Sequence, residues 1–190
     1  IISKLIKKVN FLNNSNQSLR DSIKDAIDEK SQTESHNVDL SKKENSILTN
    51  ILSINQLKAD DVMIPRASII AIQQNYSFKE ITDIINKESH SRMPVYRKDL
   101  DDVLGMVHIK DIIKFSASKN TNFDIKNIIR EILFVPPTMP VMNLLLKMQA
   151  TKLHMALVID EHGGTDGLIT IEDVIEEIVG EIEDEHDKDD

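Results

Sequence analysis

The chain has 190 residues, 40% of them apolar, with no Cys, no Trp and a formal net charge of −9. That length suits one or two domains; the lack of Cys excludes disulfides, thiolate catalysis and cysteine metal sites, and no window reaches the roughly eighteen consecutive apolar residues of a membrane-spanning helix. Lys4, Lys7 and Lys8 stand without an acid in the first ten residues, whereas 172–190 carries eleven acids and Lys188, a distribution that repels nucleic-acid phosphates. A start at Ile1 rather than Met, and an end inside a charge run, suit a piece of a longer protein.

Residues 1–11 are basic and apolar, with Ile2, Leu5, Ile6 and Val9 near helical spacing. They read either as a helix on an anionic membrane surface or as a short helix or linker packed on nothing. After a polar break, Leu19, Ile23 and Ile27 mark a second helix, and 29–39 read as a flexible connection. Ser41 and Glu44 have the form of a capping box, followed by Ile47, Leu48, Ile51, Leu52 and Ile54 on one helical side to about Gln56. Pro65 disfavours a helical Ile64, which makes 57–66 a junction.

Ile69, Ile70, Ala71 and Ile72 predict a buried strand, and Ser77 caps a helix with Phe78, Ile81, Ile84 and Ile85 inward. His90, Ser91 and Arg92 turn into a strand over 93–96, a hairpin leads to a strand over 104–107, and His108 opens a helix over 109–115. A polar crossover and a short helix on Ile125, Ile128 and Ile129 precede the strand Leu133–Val135. Pro140 sits in a first helical turn, with Val141, Leu144, Leu145 and Met148 inward. A strand over 155–159, a turn at His162-Gly163-Gly164, a strand at Leu168 and Ile169 and a helix from Ile171 to about Gly180 close the series.

These elements repeat. Gly105-Met106-Val107-His108-Ile109-Lys110-Asp111-Ile112-Ile113 returns 62 positions later as Gly167-Leu168-Ile169-Thr170-Ile171-Glu172-Asp173-Val174-Ile175, and the same shift sets Met93 on Met155 and Val95 on Leu157. Each copy supplies three strands and two main helices, too little to bury both faces of its own sheet. Two copies pressed together as one body solve this and leave clefts between them.

The repeat also points to the chemistry. Asp173 follows the helix-opening Thr170 by three residues, so its carboxylate can turn toward the helix start and accept two ribose hydroxyls, beside backbone N–H groups that favour phosphate; Thr170 is a helix cap in any case. Asp111 has the same setting in copy one, where His108 replaces the Thr, so that cleft binds differently or not at all. Arg66, His90, Ser91 and Arg92 lie in turns and suit anion contacts. His154 either touches a base or covers the sheet edge. The acids of the final helix and tail are a solvated face or weak magnesium ligands, magnesium arriving more readily on nucleotide phosphates. No nucleophile–base pair, phosphate loop or zinc signature is present, so no enzymatic activity is expected.

Asp61-Val62-Met63-Ile64-Pro65-Arg66, Ser89-His90-Ser91-Arg92, the repeated Gly-to-Asp stretches, His154-Met155-Ala156-Leu157-Val158-Ile159-Asp160-Glu161 and Ile178-Val179-Gly180-Glu181-Ile182-Glu183-Asp184-Glu185 resemble paired cystathionine-beta-synthase (CBS) domains, and more closely the CorC/HlyC branch associated with magnesium and cobalt efflux. The resemblance covers about residues 41–187. It implies an α/β (α+β) tandem CBS pair, each domain a small three-stranded sheet with flanking helices, assembled as a disc-shaped homodimer. It divides the chain into an N-terminal helical or linker segment 1–40, a lead-in helix 41–59, CBS domains 60–119 and 120–184, and an acidic tail 185–190. It further implies a cytoplasmic sensor of ATP or AMP, peripheral to the inner membrane and partnered by a membrane transporter. Asp173 and Thr170 would hold the ribose, Asp111 and His108 would be their counterparts, and 89–92 with Pro65 and Arg66 would line the clefts. Longer relatives carry a transmembrane domain ahead of this region and many a small domain after it. A secreted hemolysin C-like cytolysin and a ligand-free dimerisation scaffold are the alternative readings.

Overall fold

The structure is a computed structural model that describes residues 38–88, 90–117 and 123–180, with side chains from Glu44 onward. The helices expected in 1–11 and 19–27, most of the connection at 29–39, Ser89, most of the crossover at 116–122 and the acidic tail lie outside these residues. Gln56–Ile175 packs as one compact unit; the segments that end at Asn55 and begin at Glu176 belong to a second.

Within the second of these units, helix α1 (Val38–Ser53) begins three residues ahead of Ser41, so Ser41 is not its first residue, and it passes into a 3-10 turn at Ile54–Gln56. The Asn50 side-chain amide donates to the Ile178 carbonyl at 3.3 Å.

The larger unit opens with α2 (Ala59–Val62) and a two-residue strand β1 (Ile64–Pro65). Repeat one follows as β2 (Ile72–Gln73), α3 (Phe78–Glu88), β3 (Arg92–Tyr96), β4 (Val103–His108) and α4 (Ile109–Ala117). Repeat two is β5 (Leu133–Val135), α5 (Val141–Thr151), β6 (Met155–Ile159), β7 (Thr165–Thr170) and α6 (Ile171–Val179). In each repeat the first two strands are parallel and joined through a helix, and the next two form an antiparallel hairpin, as a helix crossover and a tight turn require. Ser77 caps α3 as expected, its hydroxyl oxygen 3.3 Å from the donating Glu80 N; the Ser77 hydroxyl and then the Ser77 amide, each donating to the Glu80 carboxylate at 2.7 Å, hold that carboxyl below its usual range.

Two departures from the sequence reading matter. The expected strand at Ile69–Ile72 shrinks to β2, because Arg66–Ser68 forms a 3-10 turn. The second sheet has four strands, ordered β1-β7-β6-β5, against three in the first, β2-β3-β4. The fourth is lent by the junction ahead of repeat one: Ile64 pairs with Leu168 and Pro65 with Gly167. The junction between the repeats lies on β4 in the same way, through a bridge in which Arg130 and Met106 exchange both backbone hydrogen bonds (2.8 and 2.9 Å).

The repeat shift is not uniform. The hairpin halves β4 and β7 keep the 62-residue offset, but Arg92 opposes His108 while Met155, not His154, opposes Thr170. Likewise Ile109 N donates to Ser91 O and Ile171 N to His154 O. His154 is therefore the counterpart of Ser91, not of Arg92, and Met93 matches Ala156 rather than Met155. The cause is the turn: Arg97 N bonds Asp102 O in repeat one and Asp160 N bonds Gly164 O in repeat two, one residue shorter, with Gly163 at φ +85° making the tighter corner.

Repeat one buries Ile72, Ile81, Met93, Val95 and Val107 completely, each worth about 1.5–3 kcal/mol. Met106 of β4 instead packs with Ile132, Met155, Leu157 and Leu168 of repeat two. The sheets thus share a core, the solution expected for two undersized copies.

Candidate functional site

The C-terminal end of β7 and the first turn of α6 bring Thr170 and Asp173 together. One oxygen of Asp173, Oδ2, accepts from Thr170 N at 2.6 Å and from the Thr170 hydroxyl at 2.8 Å, and Asp173 N donates to Thr170 Oγ1 at 3.3 Å. This is a capping box. The carboxylate turns back to the helix start as expected, and its other oxygen has no hydrogen bond among the described residues. An acceptor held beside a helix N-terminus, with lone pairs to spare, fits a pair of vicinal hydroxyls.

Repeat one uses the same positions differently. His108 Nδ1 accepts from Lys110 N at 3.1 Å. Asp111 does not fold back onto β4; its Oδ2 is held by Arg130 through Nε (2.9 Å) and Nη2 (2.6 Å), and its side chain is only 13% exposed. Burial, then the nearby charges of Arg92, Lys110 and Arg130, push the His108 pKa below its usual value, opposed by Asp111. The neutral imidazole is favoured.

Between the two, Arg92 reaches from β3 of repeat one to the start of α6. Its Nη1 donates to Glu172 Oε1 at 2.6 Å and its Nη2 lies 3.3 Å from His154 Nδ1. A guanidinium only donates, so the histidine nitrogen is the acceptor in this contact. Burial pushes the Glu172 carboxyl up, but the hydrogen bond from Arg92, a backbone hydrogen bond, the charge of Arg92 and a hydrogen bond from Thr170 together outweigh it, and the net shift is downward. Arg92 thus joins Glu172 and His154 beside the first turn of α6, the turn that carries Thr170 and Asp173.

The other expected contacts fall elsewhere. His90 and Ser91 are exposed, with Ser91 O accepting from Ile109 N at the start of α4. Pro65 lies on the edge strand β1, exposed and opposite Gly167. Arg66 donates to Thr165 O (2.9 Å) and pairs with both oxygens of Asp101, Nη2 to Oδ2 at 3.0 Å. Asp101 Oδ1 in turn accepts from Thr165 N at 2.7 Å. Arg66 thus ties the β3–β4 hairpin to the start of β7, five residues, or about 17 Å, from Thr170 at its end. A pocket of about 400 Å³ lies at that far end, lined by Asp101, Phe134, Pro136, Ile159 and Gly163.

Glu172 and Arg130 were not singled out in the sequence. The signal for Glu172 was the opposite charge of Lys110 at its counterpart position; Arg130 acts across nineteen residues and left none.

The CBS domain family model matches this chain twice, over residues 59–118 and 124–180. The chain belongs to the CBS-domain family. Its CBS pair is homologous to the CorC/HlyC, hemolysin C-like proteins. It is 44% identical over 146 residues to a possible hemolysin C of Rickettsia akari, a match that spans 76% of this chain and 48% of that protein. The chain thus spans about half the length of the curated relatives it matches. Among solved structures, the CBS domain of a bacterial CNNM/CorC family Mg2+ transporter in complex with ATP is similar at 35% identity and TM-score 0.69, over 74% of this chain and 99% of that one. A CBS-domain pair with bound AMP from Klebsiella pneumoniae is similar at 35% identity and TM-score 0.58, over 65% and 99%. No helix among the described residues of this CBS pair is long and apolar enough to cross a membrane.

Proposed function

We propose that this CBS pair is an adenosine-nucleotide-sensing regulatory module of a CorC-like divalent-cation efflux system, and that the second cleft is its principal ligand site. The observation that carries the reading is the Asp173 carboxylate, held at the start of α6 with one oxygen engaged by Thr170 and the other open. Its likeness to CBS domains solved with ATP and with AMP supports the same ligand class. Asp173 and Thr170 would hold the ribose, and Arg92 would receive phosphate, exchanging its exposed Glu172 partner for a more highly charged anion. His154 would stand beside them, and Ser91, His90, His108 and Asp111 would border the first cleft. Arg66 and Pro65 would support the site from the sheet. When bound, ATP or AMP would supply phosphate charge, and any Mg2+ would ride on those phosphates; among the described residues no group of three or more acidic or histidine side chains gathers to hold a metal.

The module is regulatory, not catalytic: its work is to favour one packing of the repeats over another by differential affinity. Two copies would associate through the helices, where Ile113 of α4 and Ile175 of α6, equivalent residues, are 58% and 43% exposed. A membrane transporter would be its cytoplasmic-side partner.

Isothermal titration of ATP, ADP and AMP, each with and without magnesium, tests this. Saturable binding lost in Asp173→Ala is expected. No binding of any of the three overturns the sensor reading, and unchanged affinity in Asp173→Ala overturns the ribose assignment.

A further inference from the structure

The two third strands, β4 and β7, each receive an incoming junction, and the registers are equivalent: Arg130 opposes Met106, and Ile64 opposes Leu168, the residue 62 positions after Met106. The glycines beside these pairs show the same close approach. A Cβ on Gly105 would meet Arg130 O at 2.3 Å and Ile129 Cγ2 at 2.7 Å; one on Gly167 would meet Ile64 O and the Met63 sulfur at 2.6 Å. Arg130 and Ile64 thus hold equivalent backbone positions on the two third strands, one charged and exposed, the other apolar and packed on the shared core.

The consequence falls on the carboxylates. Asp111 is enclosed and takes two guanidinium contacts from Arg130, with Lys114 Nζ at 3.9 Å from its other oxygen. In both carboxylates Oδ2 is engaged twice and Oδ1 accepts no hydrogen bond among the described residues, but Asp111 is paired to cations whereas Asp173, whose junction carries Ile64, has none on it. The backbone of Arg130 is fixed by two hydrogen bonds to β4, which keeps its guanidinium within reach of Asp111.

Resting on the nucleotide reading of the second cleft, we propose that Arg130 is a built-in occupant of the first cleft: it takes the carboxylate that would otherwise accept ribose hydroxyls, and so limits the chain to one nucleotide. Arg130 is then the residue that sets the stoichiometry, and the first cleft is a latent adenosine-nucleotide site.

Titrating the 190-residue chain with ATP and, separately, AMP tests this in four proteins whose folding is checked by thermal melting. Wild type is expected to bind one nucleotide per chain, and Arg130→Met two, the second event disappearing in Arg130→Met/Asp111→Ala. Ile64→Arg, which copies the cation onto the other junction while leaving Thr170 and Asp173 intact, is expected to weaken wild-type binding by tenfold or more. Two sites in wild type, or a folded Arg130→Met that still binds one, overturns the proposal. No binding in wild type but one site in Arg130→Met upholds it and sinks the second-cleft reading instead; no binding in either overturns both.

Discussion

Arg92 and Glu172 are joined at 2.6 Å across the two repeats, strand β3 of the first holding the opening residue pair of helix α6 in the second. Arg92 is 17% exposed and Glu172 58%, so this is a half-wet ion pair, worth about 0–1 kcal/mol. Its value lies in where it leaves a guanidinium: on the first turn of α6, paired to the residue that precedes Asp173.

Arg92→Ala is therefore expected to lower stability only slightly, by about 1 kcal/mol or less in chemical denaturation. Its effect on ligands should be unequal. Loss of a charge-assisted contact to phosphate costs about 1.5–3 kcal/mol, so ATP affinity should fall roughly tenfold to a hundredfold, while adenosine, which offers no phosphate, changes little. Equal losses for both in titration would show that Arg92 shapes the cleft and does not contact phosphate.

Thr170 carries two duties that separate by substitution. Thr170→Val removes the hydroxyl of the capping box and should cost about 1 kcal/mol of stability; Thr170→Ser keeps it and should restore most of that. Asp173→Asn retains the shape but loses the charge at the helix start. If it melts near Thr170→Val yet binds nucleotide as wild type does, the carboxylate serves only the helix.

His108 gives the fold a pH dependence of known sign. Its folded pKa is depressed below the ordinary value of about 6.5, so between the two values the unfolded chain binds more protons. Its contribution to stability is full above about pH 6.5 and is lost as pH falls through the folded value. Burial is the first cause of the depressed value, followed by the charges of Arg92 on β3, Lys110 on α4 and Arg130 on the incoming junction, with Asp111 on α4 opposing them. In urea titrations across pH 5–8, the difference between wild type and His108→Gln isolates the effect. The variant should lose less stability on acidification, and parallel curves would mean that the imidazole feels no net field.

Much of this arrangement is legible in the sequence because it is local. The strand–helix order follows from apolar spacing, and the Thr170 and Asp173 contact spans three residues of one helix start. What escapes is set by sheet register. The short β6–β7 turn moves His154 opposite a different partner from the one a constant 62-residue shift implies, and the repeat match, anchored on β7 and α6, had no reason to show it. Arg66 reads as an anion contact because it sits in a turn, yet β1 carries it to the start of β7, where it is paired to Asp101 and Thr165. Arg130 is the same case: its partner is fixed by a strand bridge that no local pattern announces.

Two glycines separate backbone freedom from close approach. Gly163 has φ +85° and open space where a Cβ would stand; Gly105 has φ +152°, and a Cβ there would press on the carbonyl of Arg130. That carbonyl accepts from Met106 N at 2.9 Å, while Arg130 N donates back to Met106 O at 2.8 Å, so it cannot retreat without breaking the bridge. Gly163→Ala should cost only the left-handed conformational term, about 1–2 kcal/mol. Gly105→Ala adds overpacking of about 1–3 kcal/mol, and it should also loosen Arg130 from Asp111. The paired measurement is the denaturation midpoint together with hydrogen exchange at Arg130 N. Faster exchange there in Gly105→Ala, and wild-type protection in Gly163→Ala, is the expected pattern; equal protection in both would mean that the bridge does not depend on the missing Cβ.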